Sequence, residues 1–219
     1  RRLAESLVRV GESAGVEVRA VLTAMEQPLG RTVGNALEVA ESIEILRGEG
    51  PVDTTELTVV LASHMLVLGH AAKSIDEARQ KAEQAIRDGS ALDRLAKIIE
   101  AQGGDPRVTT DLSRLPAAAV VRDITAPEEG VVSGIDAFTV GMAAVRLGAG
   151  RARAEDRVDP SVGFELLKKV GDEVRAGDVI ARVHAADAPG AEHGSASILQ
   201  AYQLAAGAVG PKLIIDVME

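Results

Sequence analysis

Apolar residues recur at helical spacing through the first hundred positions. In RRLAESLVRV, Leu3, Leu7, Val8 and Val10 fall close to one face, which predicts a helix over 2–13 stopped by Gly15. VEVRAVLTA (16–24) is Val-rich and bounded by Gly15 and by Glu26–Gln27, which predicts a strand. Helix, turn and strand make the rhythm of a layered α/β sheet. Helical spacing returns over 34–47 and stops at GEGP (48–51). A long apolar helix follows over 53–73, expected to be buried on most sides. Ser74 and Glu77 form a capping box for a helix that runs to Asp88 and ends at Gly89. Ser90 is expected to cap the next helix, ALDRLAKIIEAQ, which GGDP (103–106) terminates.

The pattern changes near residue 116. Short strands, AVVRDITA (119–126) and VVSGI (131–135), flank the turn residues EEG (128–130). Asp136 is placed to cap a helix of about 11 residues, a common length. The glycine-rich loop LGAGRARAEDRVDP (147–160) leads to VGFELLKK, the turn VGDEVRAGD and the strand VIARVHA. A helix over 195–206 and a last strand, KLIIDVM (212–218), complete the pattern. Residues 1–113 therefore read as the largely helical later part of an α/β domain. Residues 114–219 read as an α+β module with a mostly antiparallel sheet.

Composition narrows the function classes. The aromatic residues are Phe138, Phe164 and Tyr202, so the core must be built from Val, Leu, Ile and Ala. Stacking of bases on aromatic platforms is nearly excluded. The net charge of −9 and the lack of a basic patch argue against nucleic-acid partners. With no Cys there is no disulfide, thiolate metal site or cysteine nucleophile. No run reaches the roughly 18 apolar residues of a membrane span, and no signal peptide is visible. A cytoplasmic location is expected. The sequence opens without Met and already in helical rhythm, so a piece of a longer protein is expected.

QPLGRTVGNALEVAE (27–41) is the first candidate for chemistry. It lacks the Lys-Ser/Thr end of a phosphate loop and the three-glycine dinucleotide fingerprint. Two readings stay open on spacing alone. One is a tight turn into a helix, with glycines supplying the geometry. The other is a cradle for a hard cation, built from loop carbonyls and from Glu38 or Glu41, which share a helix face.

KKVGDEVRAGDVIARV (168–183) has the strand–turn form of biotinyl and lipoyl carrier hammerheads. The tip that should present the carrier Lys falls in VHAADAPGAEHG, which has none, so the resemblance is to the strand design only. GAGRARAED (148–156) reads as a solvated loop, or as a lid bringing Arg151 or Arg153 to an anion. His64 and His70 are six apart on a predicted helix, the wrong spacing for one metal. Ser63 and His64 are neighbours that point apart, so they form no dyad. Asp172 and Asp178 read as turn residues.

Eight stretches together, in order, resemble the pyrimidine nucleoside phosphorylases, thymidine phosphorylase among them. They are VLTAMEQPLG (21–30), RTVGNALEV (31–39), DGSAL (88–92), EAQGGDP (100–106), EGVVS (129–133), LGAGR (147–151), DPSVGF (159–164) and KKVGDEVRAGD (168–178). The resemblance spans about residues 5–217. It implies the later part of a large α/β domain followed by a hammerhead-like α+β module, the C-terminal half of a protein whose cleft closes on substrate. It implies reversible phosphorolysis of a pyrimidine (deoxy)nucleoside, with inorganic phosphate as co-substrate and no organic cofactor. The family's Lys-x-Ser-x-Gly-Gly phosphate loop and its base-holding Arg, Ser and Lys have no match here. No catalytic residue carries over, and the 219-residue chain alone is expected to be inactive.

One site does carry over. The resemblance implies a potassium- or calcium-like ion held by the carbonyls of Leu29 and Thr32 and by Glu41, with Glu38 set aside. It also implies a homodimer in the full-length protein. The alternative is a non-catalytic fragment or split subunit that needs a separate N-terminal chain.

Overall fold

The computed structural model describes residues 1–218. Helices α1 (Arg2–Ser13), α2 (Asn35–Leu46), α3 (Val52–Leu68), α4 (Ile75–Arg87) and α5 (Ser90–Ala101) dominate the first part. Strands β1 (Ala20–Thr23) and β2 (Thr32–Val33) lie between α1 and α2. Two short 3-10 turns, Pro106–Thr109 and Leu112–Arg114, lead to the second part. That part runs β3 (Val120–Thr125), β4 (Gly130–Ile135), α6 (Ala137–Leu147), β5 (Gly163–Leu166), β6 (Glu173–Val174) and β7 (Val179–Ala185). It continues with α7 (Ala188–Ala201), β8 (Tyr202–Ala205) and β9 (Ile214–Met218).

The result is mixed helix and antiparallel sheet. A four-stranded sheet has the order β2-β5-β7-β3, a three-stranded sheet the order β6-β4-β8, and β1 pairs with β9. Every pairing among the described residues is antiparallel. The main core lies between the sheets and α6 and α7. Phe164, Leu166, Ile180, Val183, Ile135 and Ile198 are its large members. Where β5 and β7 pair at Phe164–Val183 and Glu165–Arg182, neighbouring positions alternate. Phe164 and Val183 face the core, whereas Glu165 and Arg182, one residue away, form a polar row with Asp123 on the other face.

β2 reaches this sheet from the first part of the chain. Its register sets Thr32 opposite Glu165 and Val33 opposite Phe164. The approach is close enough to exclude side chains. A Cβ on Gly34 would lie 2.5 Å from the Val162 carbonyl oxygen, and one on Gly163 would lie 2.2 Å from that of Val33. Both glycines also have positive φ.

Several local expectations hold. Asp136 accepts from the Thr139 amide at 2.6 Å and starts an 11-residue helix. Ser74 accepts from the Glu77 amide at 3.2 Å, and Glu77 reaches back to the Lys73 amide at 3.0 Å. Others are corrected. The strand expected over 16–24 shrinks to Ala20–Thr23, where β9 supplies backbone partners.

The helix expected over 53–73 ends at Leu68, because Gly69 and His70, with its positive φ, turn the chain towards the next cap. It is not buried on most sides. Only Val59, Ser63 and His64 are buried, and Met65 is 71% exposed, since α4 covers one flank alone.

Ser90 is not a cap but the first residue of α5. Gly89 takes the left-handed cap position, and the Asp88 carboxylate accepts the Ser90 amide at 3.0 Å. The helix expected over 195–206 starts earlier, at Ala188. Asp187 caps it by accepting the Gly190 amide at 2.7 Å. It stops at Ala201, where Tyr202–Ala205 turns into a strand against β4. Alanine-rich sequence carries no clear period, which is why these boundaries were hidden.

Candidate functional site

The loop between β1 and β2 is held from two sides. From the helical side, Glu41 on α2 accepts the Arg31 amide through Oε2 at 2.8 Å. Asp53, at the start of α3, accepts the Gly30 amide through Oδ2 at 3.1 Å. Gly30 has φ +68°, and a Cβ there would lie 2.0 Å from Glu41 Oε1 and 2.7 Å from Thr54 Oγ1. Only glycine allows the backbone to come this near a carboxylate. Glu38 is occupied elsewhere: its Oε1 accepts the Gly34 amide at 3.0 Å, closing the N-terminus of α2.

From the sheet side, residues 166–170 run beside the loop. The Arg31 carbonyl accepts the Leu166 amide at 2.6 Å. The Gln27 side-chain oxygen accepts the Val170 amide at 3.0 Å. Between these bonds, the Lys169 ammonium donates to the carbonyls of Pro28 and Gly30, each at 2.5 Å, and stands 3.5 Å from Asp53 Oδ2.

Glu41 is 7% exposed. Burial pushes its carboxyl above the ordinary range, the nearby Arg31 and Thr32 groups pull it back, and the charge of Asp53 raises it further. The Thr32 hydroxyl is close enough to favour the carboxylate, yet it meets no partner at hydrogen-bond geometry and is fully buried. Burial lowers the Lys169 ammonium, and the charges of Asp53 and Glu41 oppose that shift.

Leu29, Thr32 and Glu41 all border one cavity of about 370 Å³, which Ile45, Val140 and Gly141 also line. Among the described residues, no group of three or more His, Asp or Glu side chains gathers as a metal cluster. A cation in this cavity would therefore draw on backbone carbonyls and a single carboxylate. Hard cations accept such oxygen donors, and a buried, unpartnered hydroxyl beside a buried carboxylate suits one.

The other sequence candidates resolve into structural roles. The Ser63 hydroxyl donates to the Val59 carbonyl at 2.6 Å, and His64 Nδ1 lies 3.3 Å from Arg19 Nη1, so there is no dyad. Asp172 accepts the Lys169 amide at 2.8 Å and Asp178 the Arg175 amide at 2.9 Å, both as turn residues. In the 148–156 loop, Asp156 accepts the amides of Ala152 and Arg153 at 3.1 and 2.8 Å, and Arg151 and Arg153 stay exposed. The Asn35 side chain donates to the Ala149 carbonyl at 2.8 Å and ties that loop to α2.

Sequence reasoning missed Lys169. Its segment enters the sequence reading as a carrier-like strand design and as one of the family-like stretches, and the carrier likeness directs attention to a Lys expected further on. The available signal was a lysine immediately before a Val-Gly-Asp turn, where the turn itself fixes the lysine backbone.

The chain matches two family models. Residues 131–205 match the pyrimidine nucleoside phosphorylase C-terminal domain, and residues 1–92 match the glycosyl transferase family a/b domain. It is 44% identical over 212 residues to the pyrimidine-nucleoside phosphorylase of Bacillus subtilis, covering 97% of this chain and 49% of that protein. It is 46% identical over 184 residues to the protein of the same name from Geobacillus stearothermophilus, covering 84% and 42%. For that of Staphylococcus haemolyticus the identity is 44% over 182 residues, covering 83% and 42%. The chain thus spans about half the length of the curated relatives it matches. Matches that extend over nearly all of its residues, at identities this high, make the chain a member of the pyrimidine nucleoside phosphorylase family.

Proposed function

We propose that this chain works as part of an enzyme that carries out reversible phosphorolysis of a pyrimidine (deoxy)nucleoside. Phosphate attacks the anomeric carbon, the glycosidic bond breaks, and the products are the free base and (deoxy)ribose 1-phosphate. The observation that carries this reading is the 44% identity over 97% of the chain to a protein named for that reaction. The reaction needs donors for phosphate, a cation near the charge that develops on the base, and exclusion of water. This sequence has no Lys-x-Ser-x-Gly-Gly loop, so the phosphate- and base-binding residues belong to an N-terminal half beyond these residues.

In this reading the division near residue 113 separates the end of the α/β domain from a hammerhead-like module. The full-length enzyme is a cytoplasmic homodimer. The carbonyls of Leu29 and Thr32 and the Glu41 carboxylate hold a potassium- or calcium-like ion. The ion stiffens the loop and, through it, the phosphate site. The cavity that these three residues share and the buried state of Glu41 support that assignment.

Phosphorolysis of thymidine and uridine, followed by ultraviolet absorbance, tests the reading. The full-length enzyme should turn over and the 219-residue chain should not. Turnover by the isolated chain would refute the missing-residue claim, and failure of both with phosphate present would refute the reaction. A second reading is a split subunit that binds a separate N-terminal chain. The exposed apolar face of α1, with Leu3 72%, Leu7 58% and Val10 63% exposed, favours it. Restored activity on mixing separately made halves would decide for it.

A further inference from the structure

The Lys169 ammonium has three N–H donors and three acceptors around it: the Pro28 carbonyl, the Gly30 carbonyl and the Asp53 carboxylate. Its side chain is only 20% exposed. Asp53 is itself fixed, because its other oxygen accepts the Thr54 amide at 2.9 Å while Oδ2 takes the Gly30 amide. Two carbonyls, two residues apart, therefore converge on a positive charge, with a carboxylate completing the set. Loops arranged in this way commonly bind a hard cation. Here the charge arrives on a four-carbon stem from the opposite part of the chain.

We propose that Lys169 is a positioning residue that acts as a tethered cation for the 27–31 loop. It holds the carbonyls in one direction as a bound metal would, and it fixes the loop register to the 168–172 turn. Carbonyl dipoles that point the same way repel one another unless a cation lies among them. Without the ammonium, Pro28 and Gly30 would lose this convergence, and Asp53 would keep an unbalanced charge in a partly buried place. The inference stands on these contacts and does not depend on the phosphorolysis reading or on an ion at Glu41.

Chemical rescue tests it. In the full chain, Lys169→Ala removes stem and charge, and Lys169→Met removes the charge but keeps a similar stem. Hydrogen exchange is followed across the chain, with residues 27–34 compared against α6 and α7. Exchange in 27–34 is expected to rise at least tenfold in both variants, with little change in the two helices. Propylammonium should restore protection in Lys169→Ala, where the stem channel is open, but not in Lys169→Met. Tetramethylammonium, which has no N–H to donate, should restore neither. Wild-type protection in Lys169→Met would overturn the proposal, since packing of the stem would then suffice. Failure of propylammonium to act on a folded Lys169→Ala would overturn it too. Should Lys169→Ala not fold, Lys169→Met decides alone: loss confined to 27–34 supports the tethered cation, and loss spread evenly over the chain overturns it.

Discussion

The two parts of this chain are built on different terms. The second part gathers its large apolar residues into one core, where Phe164, Leu166 and Val183 have no exposed surface. The helices of the first part bury unevenly: α2 buries Ile43 and Ile45 and α3 buries Val59, but the other three bury little. α5 has no buried residue, α4 has Ala78 alone, and α1 has Val8 alone. α3 also shows apolar residues to solvent, Val52, Leu61 and Met65 among them. Ion pairs lace this surface: Arg79 on α4 meets Glu56 of α3 at 2.6 Å and Glu83 of its own helix at 2.9 Å. Exposed ion pairs of this kind stabilise weakly. The contrast teaches that α1, α4 and α5 form a surface layer, whereas the large core gathers around the sheets, with β2 of the first part among their strands. The 27–34 loop is one place where the two are fastened together, and the pairing of β1 with β9 is another.

The largest expected effect lies in the core. Phe164→Ala should destabilise the chain by about 3–5 kcal/mol, measured by urea unfolding. Met65→Ala, on α3, should change stability by less than about 0.5 kcal/mol. Equal effects from the two would end the distinction drawn between the parts. Next comes the fastening. Gly34→Ala places a methyl against the Val162 carbonyl at positive φ and should cost about 1–3 kcal/mol. A neutral result would show that β2 does not need its close approach to β5.

At the candidate site, Glu41→Ala in the full-length enzyme should weaken ion binding and raise the phosphate KM by about tenfold. An unchanged phosphate dependence would remove the ion from the account. A smaller effect concerns acid. The Glu165 carboxyl lies below its ordinary 4.5 because of His184 first and Arg182 after, against the opposing pull of burial. His184 Nε2 lies 3.8 Å from Glu165 Oε2, beyond hydrogen-bond length. A depressed carboxyl contributes stability that is complete above pH 4.5 and lost as pH falls through its lowered value. Glu165→Gln should flatten that acid limb in thermal melts, and a limb unchanged by the substitution would assign it to other groups. A small effect is also expected of Arg79→Ala, at about 0.5 kcal/mol, because its partners are exposed.

Much of this was legible in the residues. Periodicity found α1, α2, α4 and α6 nearly to their ends, because caps such as Ser74 and Asp136 act through their own neighbours in sequence. It could not find the partner of β1, nor show that β2 exists, since both strands are made by segments far along the chain. Burial of α3 was misjudged for a related reason: an apolar sequence reports what a helix can bury, not what is there to cover it. At the site, Leu29 and Thr32 came from resemblance alone, and the choice of Glu41 over Glu38 came from it too. Spacing favoured a turn into a helix over a cation cradle, and no local rule pointed from Gly30 to Lys169.

The pairing of β1 with β9 has a consequence for synthesis. Ala20 aligns with Met218, and the Ala24 amide donates to the Leu213 carbonyl at 2.9 Å. A ribosome works from the first residue to the last, so β1 emerges long before its mate has been translated. Throughout that interval it waits as an open strand edge, the kind of surface on which nascent chains stick to one another. Closure of this pair therefore waits until residues 214–218 have been made, and chaperone dependence during translation should fall on β1.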